Sequence, residues 1–198
     1  MTLTRLVNLG TRFVVTASVL AAAGACASPG RPGQASSYLI VQTLEAAPGS
    51  RPTTFTGSLA SDVLTNGGIL EDPARATFRL VMKDPSITEP SPVNFITLRG
   101  YRVTFSRTDG RNVQGVDVPF AFDGALSATI TGSTAVTLVL VRAQSKLEAP
   151  LRALVGGGGA VAIATFADVL FYGADQAGHD VTVTARISVT FADWGDQG

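Results

Sequence analysis

The 198-residue chain has one imidazole, His179, and one thiol, Cys26. A Ser–His–acid triad would have to be built on His179. That residue stands in the turn-forming run Gly178-His179-Asp180 and reads as a polar surface residue. None of G-x-S-x-G, H-E-x-x-H or C-x-x-C occurs. One His and one Cys are too few soft ligands for a zinc or haem site. Calcium needs only oxygens, and Asp72, Asp84, Asp109, Asp123, Asp175 and Asp180 could gather at one end of a β fold. None sits in a D-x-[DN]-x-[DN]-G loop, so each reads first as a turn residue. Glycosidase chemistry requires two carboxylates at a set separation, and nothing in the spacing selects a pair. Asp168, inside an apolar stretch, reads as a carboxylate at a sheet margin bonded to a loop. Arg99, Arg102 and Arg107 read as a solvated face, and Asp109-Gly110 as a turn. The four glycines 156–159 lack the spacing and trailing Lys of a phosphate-binding loop. No catalytic residue, metal or cofactor is expected.

Fifteen basic residues balance fifteen acidic ones and no Lys/Arg run occurs, so nucleic acid is not expected as a partner. With 45% hydrophobic and 15% charged residues, a packed core is expected. One cysteine cannot close an intrachain disulfide.

Residues 1–25 carry Arg5 and Arg12 and no acid, and residues 13–25 (FVVTASVLAAAGA) are apolar or small. The run falls short of the ~20 residues of a spanning helix but suits the apolar region of a signal peptide. It ends at Ala23-Gly24-Ala25-Cys26, and here the segment resembles a bacterial lipoprotein signal peptide, with Ala23 where Leu is commonest. That resemblance implies cleavage before Cys26 and lipid on its sulfur. The alternative is ordinary secretion with cleavage after Ala25 or Ala27. Several acyl chains, at about 0.8 kcal/mol per buried methylene, would hold the chain to a bilayer. The Pro/Gly/Ser stretch that follows (ASPGRPGQA) reads as a flexible tether.

The remainder shows period-two patterning. In 181–191 the odd positions Val181, Val183, Ala185, Ile187, Val189 and Phe191 are apolar and the even ones polar, which predicts a strand with one wet face. Ala76, Phe78, Leu80 and Met82 predict a second strand, and 116–122 a third, at an edge because of Pro119. Further strands are expected at 38–45, 55–64, 126–131 and 134–142. Segment 94–107 changes apolar parity at Arg99-Gly100, which predicts a β-bulge or a change of sheet. Segment 160–172 is apolar on nearly both parities and predicts a strand covered on both faces. Ser145 and Glu148 fit a capping box, with Leu147, Leu151 and Leu154 on one face and Gly156 as a stop. A short helix is expected near 146–155, although Pro150 falls inside that frame.

Many short strands with one helix argue for an all-β antiparallel sandwich. The run Phe171-Tyr172-Gly173-Ala174-Asp175-Gln176-Ala177-Gly178-His179-Asp180 and the alternating strand after it resemble the closing hairpin of bacterial immunoglobulin-like and hyalin-repeat modules. His179 replaces the usual Asn. The resemblance implies an immunoglobulin-like sandwich of about 8–9 strands, and says little of activity.

The expected organisation is a signal peptide at 1–25, a lipidated cysteine and tether at 26–35, and the sandwich at 36–194. The expected function is that of a bacterial membrane-anchored lipoprotein, periplasmic or on the cell surface. It would be a binding or structural module without catalytic activity, contacting envelope protein or polysaccharide. The alternative is an envelope enzyme or small-ligand carrier with its site in the sandwich-end loops.

Overall fold

The computed structural model describes residues 33–194. Alternating apolar residues build eight strands among them. These are β1 (Ser37–Ala46), β2 (Ser58–Asp62), β3 (Asp72–Met82), β4 (Ile96–Ser106), β5 (Phe122–Ile130), β6 (Ser133–Val141), β7 (Ile163–Asp175) and β8 (Asp180–Ala192). One sheet has the order β1-β3-β6 and the other β2-β8-β7-β4-β5. With short β2 set aside, lettering in chain order makes the first sheet A-B-E and the second G-F-C-D, a two-sheet all-β sandwich with an immunoglobulin-like strand order. All pairings between named strands are antiparallel except that of short β2, which runs parallel to β8.

The inner faces meet in a core that includes Phe78, Leu98, Val103, Leu140, Val169, Ile187 and Phe191. In antibody domains strands B and F are tied by a disulfide beside a Trp on strand C. Here Phe78 of β3 meets Phe171 of β7 edge to face at 4.8 Å, and Tyr101 of β4 leans on Phe171 at 6.3 Å. The Tyr101 hydroxyl accepts the Val139 N–H at 3.1 Å, so a hydrogen bond also joins the sheets.

Strand β8 has the expected parity, and its antiparallel partner is β7, with Ile187 opposite Ala167 and Val183 opposite Phe171. Strand β4 slips register between Leu98 and Gly100 against both neighbours: Arg99 is the extra residue against β7, which places a β-bulge there, whereas against β5 the extra residue lies on β5.

Three expectations are corrected. Residues 116–121 form no strand. Gly115, at φ +76°, and the Asp117 carboxylate on the Val113 N–H bend 113–118 into a turn, leaving Val116 and Phe120 exposed while Val118 enters the core. Strand β7 is covered on one face only. Ile163, Thr165, Ala167, Val169 and Phe171 are buried, whereas Ala164, Phe166, Asp168, Leu170 and Tyr172 are half-buried or exposed. The predicted helix is split into α1 (Ala143–Leu147) and a 3-10 turn (Leu151–Leu154), because Pro150 has no N–H to continue it. Ser145 lies inside α1 and caps nothing, and Leu147 is exposed while Lys146 is buried. Ala35, just before β1, packs into the core.

Candidate functional site

His179 caps the β7–β8 turn. Its Nδ1 lies 2.9 Å from Asp175 Oδ2, while Asp175 Oδ1 accepts the N–H groups of Ala177 and His179, each at 2.9 Å. Burial pushes the Asp175 carboxyl up, but the imidazole and the two N–H donors outweigh it and hold it below the usual range. Gly178 supplies the φ of +86° that this turn requires.

The other acids are placed singly. Asp84 accepts from the Ser86 N–H and hydroxyl, Asp109 sits between Arg107 and Arg111, and Asp123 pairs with Arg102 at 2.7 Å. Asp180 is exposed. Among the described residues no three His, Cys, Asp or Glu side chains stand close enough to hold a metal ion. Asp168 is not at a sheet margin. It lies mid-strand and forms a two-pronged bond with Arg186 directly across on β8, at 2.7 and 2.9 Å. Arg99 and Arg102 are exposed as expected, but Arg107 is largely covered and turned onto Asp109. Cys26, the signal peptide and residues 26–32 of the tether lie outside the described residues.

A concavity of about 730 Å³ lies elsewhere, beside edge strand β2. Three pieces of chain wall it. The crossover from β1 to β2 supplies Pro48, Ser50, Arg51, Thr54 and Thr56; β2 supplies Ser58, Ala60 and Asp62; the next turn supplies Thr65 and Asn66. Trp194, just past β8, closes it. Asn66 and Gly67, at φ 48° and 75°, make the tight turn that Thr65 and Gly68 close by exchanging two backbone hydrogen bonds. Asp62 is the hinge of the cleft: one oxygen takes the Thr65 hydroxyl at 2.7 Å and the other the Trp194 N–H at 3.0 Å. The indole Nε1–H is buried with no partner among the described residues. Hydroxyls, an amide, one carboxylate, one guanidinium and a single indole thus share one open cleft.

Directly behind two of its walls lies a buried charged pair. Asp72, at the start of β3, and Lys146, on α1, are 3.0 Å apart with side chains 1% exposed. Asp72 also accepts the Gly49 N–H at 2.7 Å and the Ser61 hydroxyl at 2.6 Å. Gly49 lies between cleft residues Pro48 and Ser50, and Ser61 between Ala60 and Asp62, so one carboxylate ties the crossover to β2. Burial raises the Asp72 carboxyl above its ordinary range, and Lys146, Ser61 and Gly49 only partly offset it.

Sequence reasoning missed the cleft and Lys146. The cleft residues are ordinary turn formers, and Lys146 falls in a frame where Leu147 looked like the core position. The strongest available signal was Trp194, the only tryptophan, immediately after an alternating strand. No protein-family model, curated protein or solved structure matches the chain.

Proposed function

We propose that the chain is a lipid-anchored cell-envelope binding module without catalytic activity, and that the β2 cleft engages envelope polysaccharide. The observation that carries this reading is the make-up of the cleft. Sugars present hydroxyls that pair with Ser, Thr, Asn and Asp, and apolar ring faces that pack on an indole. Ser50, Thr54, Thr56, Ser58, Thr65, Asp62, Asn66 and Trp194 offer both within one concavity. The indole donor, buried without a partner among the described residues, carries an unmet hydrogen bond of about 1–3 kcal/mol. An open cleft suits a polymer lying across it better than a small molecule enclosed by it. His179 and Asp175 serve a turn and are not among the residues that line the cleft.

Because Trp194 is the only tryptophan, its fluorescence reports on the cleft alone. Titration of the purified chain with solubilised envelope polysaccharide should shift that emission saturably, and Trp194→Ala should weaken binding about tenfold or more in calorimetry. An unchanged spectrum and no heat with any polysaccharide fraction would overturn the reading.

A further inference from the structure

We infer that Lys146 and Asp72 are the partners of an internal amide: Nζ of Lys146 attacks Cγ of Asp72, and Oδ2 leaves as water. The inference is independent of what the cleft binds.

The argument starts from burial. An ammonium in a dry site is costly unless its donors are met, and Nζ has three donors but meets Asp72 alone among the described residues. Passing one proton to the carboxylate removes both charges and leaves a neutral amine against a carboxylic acid. The raised Asp72 carboxyl favours that transfer. Those two neutral groups are the reactants of condensation. Nζ stands 3.0 Å from Oδ2, and contact held within one folded chain is worth an effective concentration on the order of 10⁵ M or more when the geometry is productive.

The two remaining contacts fall where the reaction needs them. The Gly49 N–H points at Oδ1 from 2.7 Å, where negative charge develops when the amine adds to Cγ. The Ser61 hydroxyl donates to Oδ2 at 2.6 Å, the oxygen that must depart. The balance closes without an external reagent. The ammonium and carboxylate together hold three protons on nitrogen. One stays on the amide nitrogen, and two leave with Oδ2 as water. The Nζ–Cγ bond forms, the Cγ–Oδ2 bond breaks, and nothing is oxidised or reduced.

A competing dehydration is closed at this aspartate. The next residue is Pro73, which has no backbone N–H to attack the side chain and form a cyclic imide. The product would join β3 to α1 behind the cleft, converting a charged contact into a covalent clasp.

The experiment is intact-mass spectrometry of the purified full chain after denaturation, followed by peptide sequencing of a digest. The expected result is a mass one water below that dictated by the chain's own termini, with a branched peptide joining Asp72 to Lys146. Lys146→Met should restore the full mass. Ser61→Ala should slow appearance of the branched peptide about a hundredfold in freshly made protein. A full-mass wild-type chain overturns the inference. So does a water deficit without the branched peptide, which would place dehydration elsewhere, as at Asp109-Gly110. The wild-type measurement decides the matter even where a variant fails to fold.

Discussion

Asp175 closes the β7–β8 turn with three hydrogen bonds, two to backbone N–H groups and one to His179. Burial works against its charge, and the donors prevail, so its folded pKa lies below its unfolded value. A carboxyl depressed by folding contributes stability that is present above its unfolded pKa, about 4, and is lost as pH falls through the folded value. Asp175→Asn should therefore lower stability at neutral pH by about 1–2 kcal/mol through lost charge-assisted bonds. The gap between wild type and variant should narrow as pH drops below about 4. Thermal melts of both proteins from neutral to acid pH check this, and a gap that widens in acid would contradict it. At this scale the sequence was informative where partners are local: Asp175, Gly178 and His179 form one short turn and were legible as such. Lys146 was not, because what buries it is Asp72, far away along the chain.

At the scale of elements, alternation identified the strands because each sheet has one wet face, and a parity change located the bulge at Arg99. Two readings failed for physical reasons. Alternation in 116–122 was incidental to a turn fixed by Gly115 and Asp117, and apolar residues on both parities of β7 include Leu170, which stays exposed. The bulge itself explains Gly173. It lies opposite Leu98, and a Cβ there would sit 2.1 Å from the Thr97 carbonyl oxygen. Backbone cannot swing aside as a side chain can, so Gly173→Ala should cost about 1–3 kcal/mol by overpacking. Thr184→Ala on the wet face of β8 should stay within roughly half a kcal/mol. Denaturant unfolding of both variants measures the contrast. Equal small losses would mean that the bulge has room the geometry denies it.

At the scale of the whole domain, the ends of the sandwich differ. The chain enters at one end, where Ser37 donates to the Asn94 carbonyl at 2.6 Å and Lys83 Nζ reaches the Gly33 carbonyl at 2.5 Å. The β7–β8 turn is at that end too. Strand β1 then runs its ten residues, roughly 30 Å, to the crossover that walls the cleft. A chain held at Cys26 would thus meet its bilayer through the tethered end and present the cleft at the other. On the proposed reading, anchoring and binding would be separable. Cys26→Ser should abolish incorporation of labelled fatty acid and stop cleavage by the lipoprotein peptidase. The Trp194 emission response to polysaccharide should stay within about twofold of wild type, since the cleft is walled by residues between Pro48 and Asn66 and by Trp194. Label retained by the variant would sink the anchor assignment. Loss of the Trp194 response in a folded, unlipidated chain would mean that the cleft needs the membrane to form.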